Sequence, residues 1–217
     1  MTASFIKQHY QEESVARSYD RARFSNLPGR VFDRLEKWAL RKALRRVVAL
    51  APGPRVLDVP CGTGRITELL LAERLDVTAG DISEAMLGVA RGKCARFGGQ
   101  VAFRPLDLDG LELPDGSFDL VTCIRLFHHL DTGERERIVR ELARVSRRFV
   151  LVNVSYSSPY YRLRRRVKRR LGQGVSATSS TWADSQREAS AAGLRIRAAD
   201  FVLPFATEDL VLTMEKI

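Results

Sequence analysis

The residues best suited to chemistry fall at four places along the chain. The first is Val56-Leu57-Asp58-Val59-Pro60-Cys61-Gly62-Thr63-Gly64-Arg65, an apolar run that breaks into a turn of small residues, with the Asp58 carboxylate just ahead of the turn. The apolar run reads as a buried strand, and Arg65 to Arg74 reads as a helix. A glycine turn between strand and helix lets backbone N–H groups come close to a ligand, with the positive helix end behind them. The second place is Asp81, directly after a strand over Leu75 to Gly80. A carboxylate there faces the first loop across a parallel sheet and can accept hydrogen bonds from two ribose hydroxyls. The third is Asp107-Leu108, after a strand over Val101 to Arg104. The fourth is Leu126-Phe127-His128-His129-Leu130, beyond a strand entered through Phe118-Asp119-Leu120-Val121. A histidine at that sheet edge can take a proton near neutral pH.

The elements between these places alternate strand and helix, which predicts a parallel sheet covered on both faces. The set resembles the class I S-adenosylmethionine-dependent methyltransferases of the small-molecule type. The glycine turn is similar to that family's Asp-x-Gly-x-Gly-x-Gly loop, with Pro60 where the first glycine usually stands. Proline fixes φ and holds Val59 extended, which suits the end of a strand. Asp81-Ile82-Ser83-x-x-Met86-Leu87 resembles the second motif, with Ser83 as N-cap of the next helix. Asp107-Leu108 fills the place that meets adenine. The resemblance implies a single α/β domain with a Rossmann-like, seven-stranded, mostly parallel sheet and helices on both faces. It implies S-adenosylmethionine as cofactor, held by Asp58, Pro60, Cys61, Gly62, Thr63, Gly64, Asp81, Ile82, Met86, Asp107, Leu108 and Cys123. It further implies methyl transfer, by in-line displacement, to a small-molecule or lipid-like acceptor. His128 is the candidate base and Tyr19 the second catalytic candidate, since Tyr19-Asp20 resembles a pair found in helical caps over such sites. A nicotinamide dinucleotide fold accounts for Gly62, Gly64 and Asp81, but its third glycine position is Thr67 and it leaves Asp107-Leu108 without a role.

The remaining chain supplies the frame. Residues 1–50 are expected to form the helical cap: a polar helix within Tyr10 to Phe24, a turn at Asn26-Leu27-Pro28-Gly29, then a helix over Val31 to Leu50 with Val31, Leu35, Trp38, Leu44 and Val47 on one face. Residues 51–217 form the catalytic domain, with later helices at Glu134–Val145 and Trp182–Ala192 and later strands at Arg148–Val154, Leu194–Ile196 and Val211–Met214. A length of 217 residues suits one such domain. The beginning of the chain lacks the apolar core of a signal peptide and no run spans a membrane, so a cytoplasmic protein is expected. Cys61, Cys94 and Cys123 are widely spaced and read as reduced core thiols; no metal-ligand cluster is apparent. Pro60-Cys61 lies inside the loop, not in a nucleophilic setting. The Asp/Asn-Pro-Pro-aromatic signature of nucleic-acid amino methylation is replaced by Cys123-Ile124-Arg125-Leu126.

A net charge of +10 implies an anionic partner or a solubility bias in an arginine-rich proteome. Much of it lies in an insertion over 156–181. Ser158-Pro159 reads as an N-cap with proline at the first helical position, and Gly172 as a stop. Between them Tyr160, Leu163, Val167 and Leu171 share one face, with Arg162, Arg165, Arg166, Lys168 and Arg169 around the rest. Such a helix suits peripheral contact with an anionic membrane through 159–171, or nucleic-acid phosphates as in an RNA-directed methyltransferase or a binding protein, or packing of its stripe on the sheet.

Overall fold

The computed structural model describes residues 13–157, 159–170, 172, 179–203 and 207–217. Its sheet grows outward from the apolar run read first: β1 (Arg55–Asp58) is buried at Val56, Leu57 and Asp58 because other strands flank it on both sides. The strands are β2 (Asp76–Asp81), β3 (Val101–Pro105), β4 (Phe118–Cys123), β5 (Ser146–Ser155), β6 (Leu194–Phe201) and β7 (Asp209–Lys216). Their order is β3-β2-β1-β4-β5-β7-β6, and β7 runs antiparallel to both β5 and β6. Strand order reverses at β1, with β2 on one side and β4 on the other. The carboxyl ends beside such a reversal leave a crevice for ligands.

Seven α-helices lie among the described residues: α1 (Glu13–Phe24), α2 (Leu27–Leu50), α3 (Arg65–Ala72), α4 (Glu84–Cys94), α5 (Thr132–Val145), α6 (Pro159–Arg170) and α7 (Trp182–Ala191). One core cluster joins α5 and α7 to the sheet through Ile138, Leu142 and Ala189 against Leu57, Val121, Val150 and Leu212. The opposite face joins α2 and α3 to it through Leu40, Val47 and Leu70 against Val56, Leu120, Leu151 and Val211. The seven-stranded fold with helices on both faces is the one expected. All three cysteines are buried thiols.

Two expectations about α2 need correction. Asn26-Leu27-Pro28-Gly29 is not a separate turn. Asn26 caps the helix by accepting the Gly29 N–H at 2.8 Å, and Pro28 sits in the first turn, where no N–H is missed. The buried face is Glu36, Ala39, Leu40, Ala43, Leu44 and Val47, while Val31 and Trp38 stay 45% and 59% exposed. The reason is electrostatic as well as steric. The helix turns the Glu36 carboxylate inward to meet Arg65, the first residue of α3, and Lys42 lies 5.8 Å over the outward Trp38 ring. Arg65 also donates to Asp33 at 2.6 Å and stacks 4.6 Å from the Phe24 ring centroid. One guanidinium therefore gathers the end of α1, the start of α2 and the glycine loop.

In the basic insertion, α6 begins at Pro159 as read. Ser158 and Leu171, assigned to its cap and its apolar stripe, lie outside the described residues, as does Tyr10 near the start. The stripe does not pack on the sheet: Tyr160, Leu163 and Val167 are 51%, 61% and 50% exposed. Tyr161 is the buried residue, and its hydroxyl donates to the Thr207 carbonyl ahead of β7.

Removing one partner of a buried pair strands the other charge and costs about 3–5 kcal/mol. Arg65→Ala is therefore expected to lower the unfolding free energy obtained from urea titration by that order, and Arg65→Met with Glu36→Gln to recover part of it. A loss below about 1 kcal/mol for the single variant would show that the pair is relaxed by water.

Candidate functional site

The site begins with how Asp58 is held. Its oxygens accept from the Thr67 hydroxyl of α3 at 2.7 Å and the Thr122 hydroxyl of β4 at 2.8 Å. Burial pushes its pKa up to about 6 against the pull of those hydroxyls and of Arg65. The chain then leaves β1, and Val59 N–H donates to the Thr122 carbonyl at 2.9 Å. Cys61 N–H donates to the Gly80 carbonyl of β2 at 2.8 Å, so the turn is tied to both neighbouring strands. Gly62 and Gly64 have φ of 53° and 77°, left-handed values that favour glycine. At Gly64 a Cβ would also come within 2.9 Å of the Ala90 Cβ, so the loop seats directly on α4.

Asp81 is the counterpart on β2. One oxygen accepts the Gly62 N–H at 2.8 Å and the other the Ser83 N–H at 2.9 Å. Burial raises its pKa, opposed by those backbone donors. Ser83 caps α4 as expected, accepting the Met86 N–H at 3.2 Å. From the other side Asp20 of α1 accepts from the Thr63 hydroxyl at 2.8 Å and pairs with Lys93 of α4, which lays α1 over the loop.

These elements enclose a cavity at the carboxyl edge of the sheet, with about 1210 Å³ of unfilled space open to solvent. Of the residues expected there, Tyr19, Pro60, Cys61, Gly62, Thr63, Asp81, Ile82, Met86, Asp107 and Leu108 line it. Asp58 and Gly64 stand behind the loop as supports. Cys123 is fully buried in the core. Successive strand residues point to opposite faces, so with Thr122 turned to Asp58, Cys123 is turned away. Arg65, Asp109, Arg125 and Glu134 also line the cavity without a role assigned from sequence, as does His129, the histidine of the fourth stretch not chosen as the candidate base.

His128 is placed elsewhere. It lines a second cavity with Arg23, Phe24, Phe32, Arg125, Ser155 and Asp209, while His129 and Arg125 border both cavities. Burial, and the charges of Arg125, His129 and Arg23, push the His128 pKa down to about 3, and His129 is lowered for the same reasons. A neutral imidazole of that kind is a weak base. The first cavity therefore offers backbone donors, the four carboxylates of Asp81, Asp107, Asp109 and Glu134 and the apolar Ile82, Met86 and Leu108, a set suited to a hydroxylated ligand with a flat ring; the second offers cations between aromatic walls.

Asp58 yields a pH prediction. Its folded-state pKa of about 6 exceeds the ordinary 3.8, so the folded state holds the proton more tightly and loses stability as pH rises from about 4 to 6. Asp58→Asn should gain on the wild type by up to roughly 3 kcal/mol between pH 4 and 7, read from urea unfolding. A difference independent of pH would contradict this origin.

Comparison with known proteins agrees with the geometry. Residues 56–148 match the family described as methyltransferase domain. The chain is 33% identical over 159 residues to the demethylmenaquinone methyltransferase of Tropheryma whipplei (strain Twist), covering 69% of this chain and 61% of that protein. It is 38% identical over 86 residues to the ubiquinone biosynthesis O-methyltransferase of Dechloromonas aromatica (strain RCB), covering 39% and 37%. The chain thus spans less than two thirds of the length of these curated relatives. The magnesium protoporphyrin IX methyltransferase of Synechocystis PCC 6803, crystallised with SAH (S-adenosylhomocysteine), shares the fold at a TM-score of 0.82 and 20% identity over 100% of both chains. Domain match, relatives and fold together place residues 56–148 in the methyltransferase domain family, within a chain that has the fold of an S-adenosylmethionine-dependent methyltransferase.

Proposed function

We propose that the chain binds S-adenosylmethionine in the first cavity and transfers its methyl group, in line, to a small lipid-like acceptor. The observation that carries this reading is the convergence of Gly62, Asp81, Met86, Asp107 and Leu108 on one cavity. The residues fit the cofactor. A Cβ at Gly62 would meet nothing within 4 Å, so that backbone borders open space rather than protein. Each Asp81 oxygen accepts one backbone N–H and retains a lone pair for a ribose hydroxyl. Asp107 can accept from an adenine amino group beside the apolar Leu108. When bound, the cofactor supplies a methyl carbon on a positively charged sulfur, and what remains for the protein is chiefly alignment. Tyr19 borders the cavity from α1, and Arg125 and His129 border its junction with the second cavity, where the acceptor would lie. Relatives named for ubiquinone biosynthesis and demethylmenaquinone methylation support a small-molecule acceptor.

S-adenosylhomocysteine should stabilise the folded state by RT ln(1 + [L]/Kd) and so raise the melting temperature, and NAD should not. Asp81→Ala removes two charge-assisted bonds worth roughly 1.5–3 kcal/mol each, so affinity should fall about tenfold or more while circular dichroism shows a folded protein. A melting shift with NAD alone would overturn the cofactor assignment, and unchanged affinity in Asp81→Ala would remove Asp81 from the site.

The lipid-like character of the acceptor rests on α6. Its outward Tyr160, Leu163 and Val167 form an apolar stripe, and the exposed Arg162, Arg166, Arg169 and Arg170 surround it. Anionic lipid matches both features, with each near-surface cation contributing about 1 kcal/mol. Tyr161 fastens the helix to Thr207, close to Asp209 of the second cavity, so docking would bring that cavity to the lipid surface. The chain should co-sediment with anionic vesicles and not neutral ones, and Leu163→Asp or the pair Arg166→Glu with Arg169→Glu should abolish this. Salt-sensitive RNA binding without vesicle binding would instead support a nucleic-acid partner.

A further inference from the structure

Arginines in this fold normally meet their acceptors at hydrogen-bonding distance. Arg65 reaches Asp33 at 2.6 Å, Arg135 reaches the buried Glu188 at 3.0 Å, and Arg144 donates to Asp115 and Glu141 at 2.6 Å each. Among the described arginines that are buried or half-buried, two depart from the pattern, and both border the second cavity. Among the described residues, no protein acceptor takes a hydrogen bond from the side chain of Arg23 or of Arg125. Arg23 only stacks on Tyr19, 5.1 Å from its ring centroid. Arg125 stands 3.6 Å from Glu36 and 3.8 Å from Asp209, too far for hydrogen bonds, and its Nε is buried without a partner. Its guanidinium lies 5.2 Å from the Phe32 ring centroid.

We propose that the second cavity is a receptor for the carboxylate of an aromatic or similarly flat acceptor, held by the Arg23 and Arg125 guanidinium groups between Phe24 and Phe32. This rests on the reading of the first cavity as the cofactor site, and adds to it the chemical class of acceptor. A guanidinium is a planar fork that matches a carboxylate with two parallel hydrogen bonds, and it stacks on aromatic faces. Both forks here have unused donors. Ser155 can add a hydroxyl from the end of β5. The counter-charges already present do not complete the site. Glu36 gives one oxygen to Arg65 and leaves the other, without a hydrogen-bond partner, 3.6 Å from Arg125, and Asp209, its pKa raised to about 6 by burial, stands 3.8 Å from Arg125; neither reaches hydrogen-bonding distance. Arg125 borders both cavities, so a carboxylate on it lies at their junction. An acceptor that enters already ionised needs no base, in keeping with the weak basicity of His128.

The test uses the full chain saturated with S-adenosylhomocysteine and two ligands of nearly equal shape, 4-fluorobenzoate and its neutral analogue 4-fluorobenzamide, followed by fluorine NMR titration. The carboxylate should bind at least tenfold more tightly than the amide. Arg23→Gln and Arg125→Lys should each reduce that preference at least fivefold; the first replaces no residue that lines the cofactor cavity, though it removes the stacking on Tyr19, and the second keeps the charge but loses the planar fork. S-adenosylhomocysteine affinity is measured in parallel, so failure of the cofactor reading shows itself separately. With S-adenosylhomocysteine bound, equal affinity for the two ligands, no binding of either, or a preference that survives both substitutions would overturn the carboxylate receptor.

Discussion

The structure depends on a carboxylate that never reaches solvent. Asp58 ends the central strand, and its two oxygens are shared between a threonine of the following helix and a threonine of the neighbouring strand. A charge buried without partners is expensive, and one held by hydroxyls at fixed distances is tolerable only in one arrangement. That arrangement sets α3 against β4, and the glycine turn between Asp58 and Thr67 must follow. Asp81 then secures the turn from the far side by accepting the Gly62 N–H. The cavity exists because two carboxylates on adjacent strands hold one loop between them.

Local spacing made this part legible before any coordinates. A carboxylate, a small-residue turn and a helix occupy consecutive positions, so sequence distance and spatial distance agree. Legibility failed where they diverge. The second cavity takes Arg23 from α1, Arg125 from the loop after β4 and Asp209 from β7, and no short window contains all three. Periodicity misjudged α2, because it counts Val31 and Trp38 as inward and has no means to see that Glu36 is inward with Arg65 as its partner. The histidines show a finer limit. Phe127–His129 is a 3-10 turn, in which neighbours are rotated by about 120°. A pair that reads as one motif therefore separates, and it is His129, not His128, that borders the first cavity.

Net charge also reads differently once the partners are known. Elsewhere several cations gather on one carboxylate: Glu215 receives Arg148, Arg195 and Arg197, and Asp200 receives Lys42 and Arg46. Helix α6 has no such arrangement available within itself. Its sequence PYYRLRRRVKRR contains no carboxylate, and its apolar stripe faces solvent. The basic balance of the chain is therefore concentrated on one helix rather than spread over the surface, which is why a field argument about the whole molecule says less than the position of α6.

Arg125 shows how the two halves of the site are joined. Its φ of 70° is in the left-handed region, which costs a side-chain-bearing residue roughly 1–2 kcal/mol. The surrounding structure supplies the compensation: Arg125 N–H donates to Asn153 Oδ1 of β5 at 2.5 Å, and the guanidinium lies over Phe32 of α2. An ordinary extended or helical residue would carry the chain past this point without leaving its side chain in the partition between the cavities. The backbone is turned back instead, and β4 ends by placing a cation where an acceptor would meet a methyl donor. The same turn leaves His129 bordering both cavities and His128 only the second. The two cavities are thus divided by a single loop, and the loop's shape is fixed by an asparagine on the next strand.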